Sequence, residues 1–257
     1  MNQSERRNYL IQKLLEEQPQ YAKMQIPGRC EEQKMLLRSL MNIRMPGKIN
    51  KEFQQIQDAY LSEENAAKGV VTPADMEELS PEIYLWKGDI TRLQVGAIVN
   101  AANSGMTGCY QPCHNCIDNC IHTYAGIELR NYCNELMLHQ GHEEPTGQAK
   151  ITPAFNLPCD YVIHTVGPIV RGRLTVEHER LLVSCYEACL RIAEENNIES
   201  IAFCCISTGV FMFPNERAAE LAVQTVKQYK DRTKSKIKVI FNVFKEEDER
   251  IYRGFLR

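Results

Sequence analysis

The sequence has no long apolar run, and this absence argues against a helix that crosses a membrane. None of its hydrophobic segments approaches the roughly 20 consecutive apolar residues that a bilayer requires. Charge of one sign is also lacking, because 30 lysines and arginines stand against 33 aspartates and glutamates, a net charge of −3. Without a basic field, nucleic acid is not an implied partner. Internal repeats and low-complexity tracts are absent, and the hydrophobic content of 44% is ordinary for a globular protein.

Cysteine, by contrast, is abundant and unevenly spread. The first residues, MNQSERRNYL, are followed by charged residues rather than by an apolar segment, so we expect no secretory signal and a cytoplasmic location. Disulfides are rare in a reducing cytoplasm, and the 11 cysteines are therefore expected to be free thiols. Four of them, with two of the six histidines, fall within residues 100–126. Such a dense Cys/His cluster favours a metal site or catalysis over disulfides.

The first part of the chain has the pattern of several helices. From residue 4 to about residue 68, apolar residues recur at helical spacing, as at Leu10, Leu14 and Leu15, and proline-containing segments separate the runs. We predict about three helices that form an N-terminal helical extension, residues 1–80. The extension either packs as a cap on the following domain or is an independent binding module, and it carries no chemical signature.

From Ile83 onward, segments typical of strands alternate with segments typical of helices. The predicted strands are IYLWKGDI, GAIVNAA, QAKITPAF, YVIHTVG, SIAFCCIS and KIKVIFNVF. The predicted helices cover about residues 117–140, 175–197, 215–229 and 246–255. This alternation predicts an α/β domain over residues 81–257, with a mixed, mostly parallel central sheet between helices on both faces. Ligands of such sheets bind beyond the carboxyl ends of the strands, where the polar motifs of this chain fall.

One of these motifs, ISTGVFMFP at residues 206–214, joins a strand end to a following helix. Successive N–H groups ahead of a helix form a cradle for anions, and Gly209 permits the close approach of a phosphate. A pyrophosphate fits such a turn without any lysine, although a plain strand–helix connection has the same pattern. Phe211 and Phe213 either cover a sugar or a base, or simply close the core.

The Cys/His cluster offers more donors than one metal ion needs. Cys120 falls on the apolar stripe of the helix that begins near Ile117, so we predict a core position for it. His122 lies off that stripe, so we predict that it lies on the helix surface or supports the metal ligands from outside the coordination sphere. The remaining donors are Cys109, Cys113, His114 and Cys116. The C-x-x-C spacing within this set is also that of closed structural zinc sites, so spacing alone leaves a four-ligand site open.

Three segments resemble the signature segments of macrodomains, which bind ADP-ribose. They are GDIT at residues 88–91, VNAAN at residues 99–103 and the turn at residues 206–214, in matching order and separation. The extension and the cysteine-rich insert are similar to those of zinc-containing macrodomain hydrolases encoded beside microbial class M sirtuins. The resemblance implies that the predicted α/β domain is a macrodomain.

The same resemblance implies a path for ADP-ribose. The Asp89 carboxylate and the N–H of Ile90 would bind the adenine, and Asn103 would bind the distal ribose. The diphosphate would lie on Ser207, Thr208, Gly209, Val210 and Phe211. Taken alone, Asp89 is equally typical of a turn cap and Asn103 of a loop tether, and Asn100 is assigned a structural role.

For the metal, the resemblance implies Zn²⁺ on Cys109, His114 and Cys116, with a fourth position open as in catalytic zinc sites. Asp118 falls on the family's aspartate and is expected to be catalytic together with Asn103. In the family, a glycine-rich turn occupies the place of this cysteine-rich segment and its amides contact the diphosphate. Part of the diphosphate contacts must therefore differ in this chain.

The implied function is zinc-dependent hydrolysis of mono-ADP-ribose from protein side chains, which reverses sirtuin-type modification. Resemblance alone suggests a carboxylate linkage, on Asp or Glu, and a lipoyl-carrier protein related to the glycine-cleavage H protein as the modified partner. Two alternatives remain open: a non-catalytic reader of ADP-ribosylated protein with a structural zinc, and a hydrolase of free ADP-ribose metabolites. No Cys/His pair outside the cluster has a spacing that suggests a cysteine nucleophile.

Overall fold

The computed structural model describes residues 1–21 and 23–256. Ala22 of the predicted extension and Arg257 at the end of the predicted α/β domain lie outside the described residues. The helices are α1 (Gln3–Glu16), α2 (Cys30–Ile43), α3 (Lys51–Ala67), α4 (Ile117–Ala125), α5 (Ile127–Gln140), α6 (Val176–Glu195), α7 (Asn215–Thr233) and α8 (Glu246–Leu256). The strands are β1 (Glu77–Ser80), β2 (Ile83–Lys87), β3 (Ala97–Ala101), β4 (Ala149–Pro153), β5 (Tyr161–Thr165), β6 (Ser200–Phe203) and β7 (Lys238–Val243). Within these described ranges, no helix combines the length and the apolar character needed to cross a membrane.

Helices α1, α2 and α3 form the N-terminal bundle that the apolar spacing predicts. Helix α1 begins at a capping box. The Asn2 side chain accepts from the N–H of Glu5, and the Glu5 side chain accepts from the N–H of Asn2. The Asn50 side chain caps α3 in a similar way by accepting from the N–H of Glu52. The apolar sides of the three helices meet in a core of their own, which also includes Ile127 of α5. The bundle therefore packs on the rest of the chain.

The remaining elements build a single sheet of seven strands in the order β1-β2-β7-β6-β3-β5-β4. Neighbouring strands run parallel from β2 through β5, whereas the edge strands β1 and β4 are antiparallel to their neighbours. Helices α4 and α5 cover one face, and α6, α7 and α8 pack side by side against the other. The mixed α/β fold is confirmed. Strand β1 was not predicted, because its sequence EELS lacks apolar alternation.

The parallel strands bring the polar motifs to one edge of the sheet. Strands β2 and β7 pair in register up to Lys87 and Val243, and β3 pairs with β5 up to Ala101 and Thr165. Since the carboxyl ends of parallel strands lie on the same side, the segments that follow β2, β3 and β6 meet there.

The predicted helix over residues 117–140 is interrupted, and the single-helix prediction is wrong. Gly126, with φ of +102°, separates α4 from α5. A side chain at this position would also collide, because a Cβ on Gly126 would lie 2.8 Å from Gln57 Nε2. The break lets α3 of the extension approach the backbone at the start of α5.

Buried amides of α3 fasten the extension to this break. The Gln57 side chain is fully buried; its Oε1 accepts from the N–H of Ile127 at 3.0 Å and its Nε2 donates to the Glu128 carboxylate. Asn65 Nδ2 donates to the carbonyls of Tyr124 at 3.0 Å and Asn156 at 2.7 Å. These bonds satisfy backbone groups that the helix break leaves without helical partners.

Replacing Gln57 by Ala is expected to lower the free energy of unfolding by about 1 to 3 kcal/mol, because the N–H of Ile127 and the Glu128 carboxylate would remain buried without this partner. Urea denaturation of wild type and variant measures the difference. Gln55→Ala on the same helix, where the side chain is exposed, is the matched control and should change stability by less than about 0.5 kcal/mol. Equal effects of the two substitutions would contradict the docking role of Gln57.

Candidate functional site

A cleft of about 620 Å³ lies at the carboxyl edge of the sheet. One wall is formed by the ends of β2 and β7, and the opposite wall by the start of α4. The turn at residues 207–211 lies along the cleft. Predicted site residues that line it are Asp89, Ile90, Cys116, Ser207, Thr208, Gly209, Val210 and Phe211. The volume suits a ligand the size of a dinucleotide.

At one end of the cleft, Asp89 has a carboxylate oxygen free for a ligand. Its Oδ1 accepts from the N–H of Thr91 at 3.0 Å and from the Thr91 hydroxyl at 2.7 Å. Its Oδ2 lies 4.0 Å from Nζ of Lys68, the residue that follows α3, at the outer limit of an ion pair. Ile90 opens the short turn that Asp89 caps, so its N–H has no acceptor within that turn. The acceptor and the donor that were predicted to bind adenine, Asp89 Oδ2 and the N–H of Ile90, are therefore both present in the cleft.

The turn at residues 207–211 has the unusual backbone that an anion cradle requires. Ser207 has φ of +66°, and the turn closes through the N–H of Phe213, which donates to the Ser207 carbonyl at 3.0 Å. In the described part of the chain, the N–H groups of Gly209, Val210 and Phe211 donate to no protein acceptor. These donors are therefore available to an anion.

Side chains around this turn divide between the cleft and the core. Phe211 is half-buried and lines the cleft, whereas Phe213 is 1% exposed and belongs to the core. Among the described residues, the buried Ser207 hydroxyl has no hydrogen-bonding partner. Gly167 leaves room for it, since a Cβ there would lie 2.1 Å from Ser207 Oγ. Of the two phenylalanines, only Phe211 is placed to touch a ligand.

The predicted site residues Asn103, Cys109, His114 and Asp118 do not line the cleft. Two amides hold the carboxylate of Asp118, which is 5% exposed. Asn100 Nδ2 donates to Asp118 Oδ1 at 2.8 Å, and Asn103 Nδ2 approaches Asp118 Oδ2 at 3.2 Å. The Asn103 amide also donates to the carbonyl of Gly108 at 3.1 Å, and its Oδ1 accepts from the N–H of Gly105 at 3.0 Å. Asn100 was assigned only a structural role, yet it binds the carboxylate directly. The feature of the sequence that could have indicated this contact is the position of Asn100 at the end of a strand.

A polar layer that was not predicted lies behind this carboxylate. The fully buried His164 bonds to Asn100 Nδ2 through its Nδ1 at 3.1 Å and to the Thr152 hydroxyl through its Nε2 at 3.0 Å. His122 is 3% exposed, with Nε2 3.6 Å from Asp118 Oδ1. A surface position for His122 is therefore wrong, because α4 is covered on that side by the sheet and the cysteine-rich segment. A histidine within the apolar strand YVIHT was the one sequence signal of this layer.

Burial sets the charge states of these groups. It raises the pKa of Asp118 to about 6, although the Asn100 amide, the Arg130 charge and the Asn103 amide oppose the rise. It lowers the pKa of His164 to about 3 and holds that of His122 well below its usual value. Both imidazoles are therefore neutral at physiological pH. The site contains a carboxyl group whose pKa lies close to neutrality, a property suited to proton transfer.

Residues 109–116, here called the cysteine loop, bring three metal donors together. The donor atoms of Cys109, His114 and Cys116 all lie within 4.8 Å of one another, with Cys109 Sγ 3.7 Å from His114 Nδ1. Tetrahedral zinc, with bonds of about 2.3 Å to sulfur and about 2.0 Å to nitrogen, separates its ligand atoms by about 3.5 to 3.8 Å. In the metal-free protein, burial raises the pKa of the Cys116 thiol to about 12. A divalent cation would supply the charge that stabilises thiolates here, so the donor set fits zinc.

The other cysteines of the cluster lie apart from these donors. Cys113 Sγ lies 3.2 Å from the Ser39 hydroxyl of α2, a position that does not support a closed site with four ligands. Cys120 is half-buried, lines the cleft and lies 3.6 Å from Arg38 Nη2. The core position predicted for Cys120 is therefore wrong, because the apolar stripe of α4 faces the cleft at this turn. All cysteines, including these two, are free thiols.

Comparison with known proteins agrees with this geometry. A family model described as Macro domain matches residues 99–222. The chain is 58% identical over 260 residues to a protein from Treponema medium named protein-ADP-ribose hydrolase, with 100% of each chain covered. A protein of the same name from Staphylococcus aureus strain MRSA252 is 45% identical over 254 residues, covering 96% of this chain and 94% of that protein. A solved Oceanobacillus iheyensis macrodomain with ADP is similar with a TM-score of 0.63 and 34% identity, covering 70% of this chain and 93% of that chain.

The raised pKa of Asp118 predicts a pH-dependent cost to stability. Because the folded protein binds this proton more tightly than the unfolded chain, ionisation of Asp118 destabilises the fold as the pH rises from about 4, and the cost is complete above about pH 6. In chelator-treated protein, Asp118→Asn should therefore gain stability relative to wild type, by up to about 3 kcal/mol between about pH 4 and pH 7. Urea denaturation across this range measures the difference. Asp160→Asn, at an exposed position, is the control; a flat or inverted difference for Asp118→Asn would contradict the assignment.

Proposed function

This chain belongs to the macrodomain family, and on that premise we propose that it is a hydrolase that removes mono-ADP-ribose from modified protein side chains. The observation that carries the proposal is the proximity of a buried carboxyl group to a metal donor set, one member of which, Cys116, lines the cleft. The carboxyl group is Asp118, and the donors are Cys109, His114 and Cys116. The names of the relatives from Treponema medium and Staphylococcus aureus, which match over nearly the whole chain, support the same activity.

ADP-ribose would lie along the cleft with its adenine at Asp89. The free Asp89 oxygen would accept from the adenine amino group, and the N–H of Ile90 would donate to the ring. The diphosphate would bind the unpaired N–H groups of Gly209, Val210 and Phe211, with the neighbouring Ser207 and Thr208 completing the turn. This orientation would place the distal ribose toward Cys116, which lines the cleft two residues before Asp118.

Hydrolysis adds water across the bond between C1″ of the distal ribose and the side-chain oxygen of the modified protein. Asp118, with a pKa near neutrality, would take the proton from the attacking water and return it to the leaving carboxylate. The amides of Asn100 and Asn103 would hold both carboxylate oxygens in place during these transfers. Asn103 would also orient the ribose, so we assign it a catalytic role beside Asp118.

Cys109, His114 and Cys116 would hold a zinc ion, and their number leaves a fourth coordination position without a protein ligand. Bound zinc supplies Lewis acidity, which polarises a substrate oxygen or lowers the pKa of a coordinated water toward about 7. Three protein ligands are the number typical of catalytic zinc sites, whereas structural sites use four.

The substrate class rests on the resemblance to macrodomains encoded beside class M sirtuins. We propose that the ADP-ribose is linked to Asp or Glu and that the enzyme reverses sirtuin-type modification in the cytoplasm. A lipoyl-carrier protein related to the glycine-cleavage H protein is the proposed partner. Glutamate-linked and aspartate-linked ADP-ribose on such a carrier are therefore the substrates to test first.

Release of labelled ADP-ribose from a carboxylate-modified protein tests the activity and its dependence on metal. Wild-type protein loaded with zinc should release the label, while chelation or Cys116→Ala should slow release by at least about 100-fold, a loss typical when a group that stabilises developing charge is removed. Added zinc should rescue the chelated wild type but not the variant. Cys30→Ala, at an exposed cysteine of the extension, is the control and should retain full activity.

The same assay separates the alternatives. Equal rates before and after metal removal would contradict zinc dependence. Binding without release by the zinc-loaded protein would identify a reader rather than a hydrolase. Release of ADP-ribose from free metabolites but not from modified protein would exclude a protein substrate.

Asp89→Ala is expected to weaken ADP-ribose binding by about 1.5 to 3 kcal/mol, or roughly 10-fold to 150-fold, because a charged acceptor is lost. Isothermal calorimetry of the zinc-loaded protein measures the affinity. Asp75→Ala is a matched control, since Asp75 accepts from the N–H and hydroxyl of Thr72 in a comparable short turn and does not line the cleft. Unchanged affinity of Asp89→Ala would remove Asp89 from the binding site.

A further inference from the structure

Helix α2 of the N-terminal extension makes direct hydrogen bonds to the cysteine loop. Arg38 Nη2 donates to the carbonyl of His114 at 2.7 Å and to Asn119 Oδ1 at 2.9 Å. His114 is one of the proposed ligands, and Asn119 lies in the first turn of α4, directly after the loop. A single guanidinium nitrogen from the extension therefore joins the loop to the helix that follows it.

Asn119 extends this connection to the other two proposed ligands. Its backbone N–H donates to Cys116 Sγ at 3.4 Å, and its side-chain Nδ2 donates to the carbonyls of Cys109 at 3.3 Å and Gln111 at 2.9 Å. The residue is fully buried, so these bonds are shielded from water. Arg38 thus orients the residue that holds both cysteine ligands.

A second group of contacts fastens the middle of the loop at Cys113. The N–H of Cys113 donates to Asn42 Oδ1 at 2.9 Å, and its thiol lies 3.2 Å from the Ser39 hydroxyl and 3.4 Å from the Met35 carbonyl. Ser39, Asn42 and Met35 all belong to α2. Cys113 has φ of +52°, a conformation that costs free energy for any residue except glycine and persists only when surrounding contacts impose it.

The loop supplies little of this order itself. Among the described residues, the one hydrogen bond between backbone groups of the loop runs from the N–H of His114 to the carbonyl of Gln111 at 3.3 Å. Arg130 of α5 supports the arrangement from the other side, since it stacks on Tyr110 with 4.3 Å to the ring centre and donates to the carbonyls of Met41 and Asn42. External contacts from α2, α4 and α5 therefore determine the loop conformation.

We propose that α2 of the extension is a positioning element for the metal donors, with Arg38 as its principal positioning residue. The inference rests on the proposed zinc site. Without Arg38, the His114 carbonyl and the Asn119 side chain lose their shared donor, and the three ligands must be ordered when the metal binds. The extension thereby sets the metal affinity of a site to which it contributes no ligand.

The test compares zinc affinity in full-length wild type, Arg38→Ala, Arg38→Lys and Arg44→Ala. Arg44 is the matched control, because it caps the end of α2 and pairs with Glu17 inside the extension at 2.7 Å. Competition with a chromophoric chelator should show a loss of about 10-fold to 100-fold in zinc affinity for Arg38→Ala, as for other residues that orient metal ligands. Arg38→Lys should recover part of the loss, and Arg44→Ala should stay within about threefold of wild type, although it destabilises the extension.

Amide hydrogen exchange in the metal-free proteins provides a second readout, independent of zinc. Exchange at residues 110–116 should accelerate in Arg38→Ala and remain unchanged in Arg44→Ala. Equal zinc affinities for the two alanine variants, unchanged exchange in Arg38→Ala, or a wild-type protein that takes up no zinc would overturn the inference. A zinc-loaded wild type that releases no ADP-ribose would instead end the hydrolase proposal and leave the comparison of zinc affinities valid.

Discussion

The side chain of Asn103 forms the hydrogen bonds on which the geometry of the candidate site depends. Its amide binds the Gly108 carbonyl at 3.1 Å and the Asp118 carboxylate at 3.2 Å, while its oxygen accepts from Gly105. The end of β3, the start of the cysteine loop and the candidate catalytic carboxylate are therefore fixed relative to one another by one residue. Aspartate, of similar size, has no N–H donor for the carbonyl and carboxylate oxygens, and glutamine is longer by one methylene. Hydrogen bonding within the protein is thus sufficient to require an asparagine at this position.

The surroundings of Asp118 explain why its pKa lies near neutrality. A carboxylate paired directly with a guanidinium has a depressed pKa and is a weak base, whereas one buried among apolar groups stays protonated. Asp118 lies between these limits, because two neutral amides bind it and the nearby imidazoles of His122 and His164 are held neutral by burial. Amide donors fix the orientation of the carboxylate, and they only partly offset the rise in its pKa that desolvation causes. The neutral imidazoles behind the site therefore add no positive charge that would lower the pKa of Asp118 further.

Local pattern predicted six of the seven strands, most helix bounds and the edge of the sheet where the motifs meet, because hydrophobic period is set by residues near in sequence. Contacts between distant segments were out of reach. Helical periodicity through Gly126 concealed a break that is filled by Gln57, 69 residues earlier in the chain. Periodicity also assigned Cys120 to the core and allowed His122 a surface position, since the stripe of α4 depends on how the cleft and the sheet divide the helix surface. The spacing of Cys113 could not distinguish a ligand from a contact with α2, which only the packed extension reveals.

A loop that binds a metal with three ligands must be ordered by something other than the metal if one coordination position is to stay open. In a closed site, four ligands and the ion hold each other, and the surrounding chain has little to add. Here the donors are ordered from three directions: Asn103 at the start of the loop, Asn119 at the cap of α4 and Arg38 on α2. Two of these supports belong to the sheet domain and one to the extension. The three donors proposed for zinc are therefore ordered by contacts from both the sheet domain and the helical extension.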